Sequence, residues 1–156
     1  MIKILFVCHG NICRSPMAEF VMKDLVQKAG LENQFYIKSA ATSTEEIGNP
    51  VHRGTVHKLA QYGLSCKGKT AMQMKASDYN EYDYLIGMDV RNIANMKRIA
   101  SGDPEEKIAL LLDFTYEKKE YKTDIADPWY TGNFDETWND VLAGCKGFLE
   151  YLLQNR

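Results

Sequence analysis

No charge of either sign dominates this chain: 19 lysines and arginines stand against 21 aspartates and glutamates, for a formal net charge of −2. That balance argues against nucleic acid or an anionic membrane as the main partner, so any basic site must be local. Long apolar runs are missing too. The opening Ile2 to Val7 run is broken by Lys3 and followed at once by Cys8, His9, Gly10 and Asn11. It has neither the length nor the small-residue cleavage site of a signal peptide, and no other segment approaches a membrane span. The expectation is a cytoplasmic protein. Internal repeats, low-complexity stretches and linkers are absent as well. At 156 residues and 45% hydrophobic composition, residues 1–156 are expected to form one domain with one core.

Metal-binding patterns are equally scarce. Cys8 and Cys13 have four residues between them, and His52 and His57 are five apart, which does not place both imidazoles on one helical face. No metal and no organic cofactor is expected. The four cysteines, at 8, 13, 66 and 145, are read as free thiols, since a cytosolic chain with a core of this size does not need disulfides.

What is present is an alternation of strand and helix. Ile2 to Val7 is short, apolar and rich in β-branched residues, as in a strand buried on both faces. Ser15-Pro16 offers an N-cap followed by proline at the first helical position, and Met17, Val21 and Leu25 continue a helical stripe that Gly30 stops. Phe35 to Lys38 predicts a second strand. The Gly48-Asn49-Pro50 signal predicts a helix carrying Val51, Val56, Leu59 and Ala60, ended by Gly63. Tyr82 to Met88 predicts a third strand, Asp89 caps a helix with Ile93, Met96 and Ile99 inward, and Ile108 to Leu112 predicts a fourth strand. A polar stretch follows around Glu117 to Lys122. Asn133 with Glu136 three residues on then opens a helix whose stripe includes Trp138, Val141, Cys145, Phe148 and Leu152. This order predicts an α/β fold: an open four-stranded parallel sheet with helices on both faces. Ligands of such sheets bind beyond the carboxyl ends of the strands, where the loop after strand one should lie.

That loop reads Cys8-His9-Gly10-Asn11-Ile12-Cys13-Arg14-Ser15. A cysteine and an arginine separated by five residues is a weak signal alone. It gains weight from a buried strand before it, a glycine within it and a helix start after it, because loop amides and a helix N-terminus together cradle one phosphate. The same field favours a thiolate, and thiols in such surroundings have pKa values of roughly 3.5 to 7.5. Cys8 is then a nucleophile at neutral pH, and Arg14 offers a planar fork for two phosphoryl oxygens. Ser15 either hydrogen-bonds the Cys8 sulfur or only caps the helix. The plain alternative is that Cys8 is a buried strand-end cysteine and Arg14 a surface residue.

Ser39-Ala40-Ala41-Thr42-Ser43, Gly48-Asn49-Pro50, Arg53-Gly54, Gly87-Met88-Asp89 and Asp127-Pro128-Trp129-Tyr130 accompany the loop. Together and in this order they resemble the low-molecular-weight protein tyrosine phosphatases over essentially the whole chain. The resemblance implies a four-stranded parallel sheet and hydrolysis of phosphate monoesters through a cysteinyl-phosphate. It makes Cys8 the nucleophile, Arg14 the phosphate clamp and Asp127 the proton donor. Asn11 and Ser15 would hold the loop, with Ser39 bracing Asn11, and Cys13 would be able to pair reversibly with Cys8 on oxidation. Trp129 and Tyr130 would wall the site against a phenyl ring or else pack in the core. Asp89 reads as a helix cap, and Asp113 has no evident partner.

Three positions depart from the pattern. Lys67-Gly68-Lys69 stands where the family often has a loop-supporting histidine, Glu45 where an aromatic is often found, and His9 where many members have an apolar residue. They bear on loop rigidity and substrate choice. The expected partner is a tyrosine-phosphorylated protein or small aryl phosphate, acted on by a monomer or weak dimer. Rival readings are an arsenate reductase, which would need resolving cysteines that Cys66 and Cys145 are badly spaced to supply, a non-catalytic phosphate-binding module, and a phosphocysteine carrier.

Overall fold

The computed structural model describes residues 1–115 and 122–155. Four strands, β1 (Ile2–Cys8), β2 (Phe35–Ala41), β3 (Tyr84–Gly87) and β4 (Ile108–Leu110), form one sheet in the order β2-β1-β3-β4. Every pairing is parallel. β1 therefore has β2 on one side and β3 on the other, and the chain reverses its direction of travel across the sheet there. The expected switch point follows β1.

β1 is buried on both faces because its residues alternate between two cores. Ile4, Phe6 and Cys8 face a cluster with Met17, Val21 and Met22 of α1 (Arg14–Lys28) and Val141, Cys145 and Phe148 of a long last helix. Leu5 and Val7 face the other way, with Leu85, Tyr79, Tyr82 and Met96. Between the strands lie α2 (Arg53–Gln61), α3 (Asp78–Glu81) and α4 (Val90–Ala100). After β4 come α5 (Pro128–Thr131) and α6 (Phe134–Gln154). No helix among the described residues is long and apolar enough to cross a membrane.

The expected elements are present, with shifted ends. β2 runs three residues past Lys38 because Ala40 and Ala41 pair with Val7 and Cys8. β3 is shorter than the Tyr82 to Met88 run, and the fourth strand stops at Leu110, where Leu111–Phe114 winds into a 3₁₀ turn. α2 starts at Arg53 instead of at Pro50, and Val56 and Ala60 point to solvent. Its buried face is Thr55, Lys58 and Leu59, set by packing on α1 and α6 and not by the most apolar residues. Ser15 is not a cap: α1 begins at Arg14, with Cys13 in the cap position and no side-chain cap. Asp89 does cap α4, in a reciprocal box with Asn92, and Asn133 caps α6 by accepting from the Glu136 amide. The expected polar stretch at Glu117 to Lys122 lies, apart from Lys122, outside the described residues.

α6 crosses the 3₁₀ turn at close range. A β-carbon on Gly147 would lie 1.7 Å from the Phe114 carbonyl oxygen. Helix propensity alone favours Gly147→Ala by about 1 kcal/mol. The clash is with backbone that cannot rotate away, so the expected outcome is the opposite: a loss of about 2 kcal/mol, read from urea unfolding midpoints.

Candidate active site

The loop after β1 is organised around the Cys8 sulfur. Sγ accepts from the Asn11 amide at 3.3 Å and lies 3.0 Å from Ser15 Oγ. For its amide to reach back, Asn11 takes a left-handed conformation, φ +59°, which asparagine tolerates better than most residues. Its buried side chain then uses all its local bonds. Nδ2 donates to Ser15 Oγ at 2.8 Å and to Ser39 Oγ at 3.0 Å, and Oδ1 accepts from the Met72 amide at 3.2 Å. Among the described residues, no protein group accepts from the main-chain N–H groups of Gly10, Ile12, Cys13 or Arg14. The first turn of α1 carries no acidic side chain to compete for an anion.

Arg14 is 2% exposed. Nη1 donates to Asp89 Oδ2 at 2.6 Å and to the Ile125 carbonyl at 2.9 Å, while Nη2 reaches Asp127 Oδ2 at 3.4 Å. Burial works against its charge, but Cys8, the Asp89 hydrogen bond and Asp127 outweigh it, and its pKa is raised. The guanidinium is a fixed cation at the pocket floor. Burial, together with the neighbouring Cys8 and Asp127 charges, pushes the Cys13 thiol up to about 12, so it stays protonated at neutral pH. Asp127 Oδ1 accepts from the Trp129 amide at 3.0 Å, starting the short helix α5.

The pocket is lined by Cys8, His9, Gly10, Ile12, Cys13 and Arg14 below and by Glu45, Glu46, Asp127, Trp129 and Tyr130 around the rim. Trp129 and Tyr130 are exposed, which rules out core packing for them. His9 Nε2 donates to Glu45 Oε2 at 2.9 Å, so two of the departures from the family pattern meet at the rim. The third is also resolved in space. Ser39 donates to Glu19 Oε1 at 2.6 Å, and Lys69 Nζ donates to the Ser39 carbonyl at 2.8 Å while lying 3.8 Å from the same Glu19 oxygen. Burial lowers the Lys69 pKa, and Glu19 only partly offsets it.

Sequence reasoning placed Cys8, His9, Gly10, Asn11, Ile12, Cys13, Arg14, Ser15, Ser39, Asp127, Trp129 and Tyr130 at one site, and all of them lie at the pocket or in the hydrogen-bonded network beneath it. Contributors were missed, among them three charged side chains. Asp89 was read only as a cap, although its second oxygen holds Arg14. Glu19 sits on the helix side facing β2, buried, and its bond from Ser39 spans 20 positions, which leaves no mark in the spacing. Lys69 was noticed as a departure, not as a support. Asp113 lies in the 3₁₀ turn and is not among the pocket residues.

Asp89 has two separable jobs. Asn is as good a helix cap as Asp, so Asp89→Asn keeps the cap, but it takes the near anion from buried Arg14 and should cost on the order of 3 kcal/mol in urea unfolding. Inorganic phosphate supplies an anion to the same guanidinium, so at saturating concentration it should restore part of that loss. The Lys69→Met substitution acts on the other side of the loop. It leaves Glu19 buried with one cation fewer and is expected to cost on the order of 3 kcal/mol in urea unfolding.

Residues 3–156 match the family described as low molecular weight phosphotyrosine protein phosphatase. The low molecular weight protein-tyrosine-phosphatase YfkJ of Bacillus subtilis is 42% identical over 149 residues, covering 96% of this chain and 94% of the relative. A low molecular weight phosphotyrosine protein phosphatase of Saccharomyces cerevisiae is 40% identical over 153 residues, covering 96% and 94%. The crystal structure of YfkJ superposes with a TM-score of 0.96 at 40% identity, covering all of this chain and 97% of that one. The chain therefore belongs to the low-molecular-weight phosphotyrosine protein phosphatase family.

Proposed function

We propose that this chain hydrolyses phosphotyrosine and aryl phosphate monoesters through a cysteinyl-phosphate intermediate. The observation that carries this reading is the joint placement of the Cys8 sulfur, the Arg14 guanidinium and the Asp127 carboxyl group around one pocket. Cys8 Sγ attacks phosphorus and the P–O bond to the leaving group breaks, with Asp127 giving its proton to the departing oxygen. Water then attacks phosphorus, Asp127 takes its proton, and the S–P bond breaks, returning the electron pair to sulfur. Ser15 Oγ, 3.0 Å from Sγ, donates to the sulfur as it leaves.

Arg14 fits the clamp role because its two amino groups are held unequally. Nη1 is fixed by Asp89 and Ile125, whereas Nη2 has only the 3.4 Å contact with Asp127, which leaves it donor capacity for a phosphoryl oxygen without moving the plane. Releasing that contact also frees Asp127 to carry a proton. Trp129 and Tyr130 flank the ring of a phosphotyrosine. We place the protein in the cytoplasm, acting as a monomer or weak dimer on a tyrosine-phosphorylated protein or a small aryl phosphate, since a Cys8 nucleophile requires a reduced thiol. Cys145 is fully buried and its thiol is pushed up by burial, which argues against a resolving cysteine of an arsenate reductase.

The test is p-nitrophenyl phosphate hydrolysis across pH 4 to 8 without added metal. Cys8→Ser is expected to fall to background and Asp127→Ala by about 10² to 10⁴ in rate, with EDTA having no effect. A folded wild type that does not turn over would overturn the reading.

A further inference from the structure

His52 touches both walls of the pocket without lining it. We infer that His52 is a positioning residue that sets the acid loop, through Trp129, against the phosphate loop. Its backbone N–H donates to the Ile12 carbonyl at 2.8 Å, which ties it to the phosphate loop. Its Nδ1 accepts from the Gly54 amide at 3.0 Å and caps α2, so the neutral ring carries its proton on Nε2 and its orientation is fixed.

The fixed ring sits between two aromatics. It stacks on Phe134, centroids 5.3 Å apart and planes 18° apart, and meets Trp129 edge to face at 5.6 Å and 80°. Phe134 is pressed onto α2 because residue 54 is glycine: a β-carbon there would lie 2.3 Å from the Phe134 ring. Trp129 is 57% exposed, so few contacts fix where it stands, and the His52 ring is one of them. The Trp129 amide in turn donates to Asp127 Oδ1 at 3.0 Å. A continuous line of contacts thus runs from the Ile12 carbonyl through His52 and Trp129 to the carboxyl group proposed as acid.

This inference rests on the role assigned to Asp127, and its consequence is selective. Attack by Cys8 does not use the acid, but departure of a basic phenolate does, so misplacing Asp127 harms substrates in proportion to the pKa of their leaving group. His52→Asn keeps a competent cap and the backbone N–H while removing the ring. Its kcat/KM should fall roughly tenfold for phenyl phosphate and less than about twofold for 2,4-dinitrophenyl phosphate. The inhibition constant of inorganic phosphate should not change. His52→Phe, which keeps an aromatic ring and loses the cap, should melt earlier yet retain the wild-type leaving-group dependence.

An equal fall across all leaving groups, no fall at all, or a parallel loss of phosphate inhibition in His52→Asn would overturn the proposal. Asp127→Ala is measured on the same esters. If it shows the leaving-group-dependent loss and His52→Asn does not, the His52 proposal alone fails. If Asp127→Ala shows none, the acid assignment fails and takes the His52 proposal with it.

Discussion

A guanidinium that is 2% exposed cannot be left without anionic partners, and the architecture of the site follows from that requirement. Arg14 enters on the first turn of α1, Asp89 arrives from the end of β3, and Ile125 and Asp127 come from the segment leading to α5. Three parts of the chain, spanning 113 positions from Arg14 to Asp127, converge on one cation. The parallel sheet makes this possible because its loops all leave at the same edge. The two carboxylates do not share Arg14 equally: at 2.6 Å Asp89 makes a short charge-assisted bond, whereas at 3.4 Å Asp127 is near the limit of one. Asp89 thus holds the cation in place, while Asp127 can exchange partners without leaving a buried charge unpaired.

The opposite side of the loop is governed by the direction of its hydrogen bonds. A carboxylate only accepts, so Ser39 must give its proton to Glu19, and the Ser39 oxygen is left to accept from Asn11. The Met72 amide occupies Asn11 Oδ1, so the other Nδ2 proton goes to Ser15, and of the two acceptors left for the Ser15 hydroxyl proton the Cys8 sulfur at 3.0 Å is nearer than the Ala40 carbonyl at 3.4 Å. One buried anion at the far end therefore orients a row of neutral groups toward the Cys8 sulfur. Lys69 and Lys23 both stand close to Glu19. Lys69 also donates to the Ser39 carbonyl, so the same cation steadies both the anion and the serine that passes its hydrogen bond on.

The fold was legible because its signals are local and periodic. An apolar run such as Ile2 to Val7, a cap such as Asp89 and the stripe of α6 announce themselves within a dozen residues. The loop proposed as catalytic was legible for a similar reason, being contiguous, although only the resemblance raised Asp127 above an ordinary Asp-Pro turn. Asp89 was half seen: its cap is local, but its bond to Arg14 spans 75 positions and leaves no mark in spacing. Of the two roles weighed for Ser15, the structure has the contact with the Cys8 sulfur and not the cap, because a loop that curls back on its own sulfur starts the helix at Arg14, two residues before Pro16. α2 shows the limit of hydrophobicity as a guide. Its inward face holds Thr55 and Lys58, since Thr55 Oγ1 is needed on the Cys13 carbonyl and Lys58 on Asp135.

Thr55 and His52 give α2 a part in the site that its sequence does not advertise. The first residues of this helix hold two consecutive carbonyls of the phosphate loop, Ile12 through the His52 amide and Cys13 through Thr55. Fastening carbonyls outward constrains the adjoining peptide planes, and each plane's N–H faces roughly opposite to its C=O. The N–H groups of Cys13 and Arg14 belong to those two planes, and neither has a protein acceptor among the described residues. α2 thus supports an anion cradle it does not itself enter, holding the carbonyl side of each peptide so that the amide side is left for phosphate.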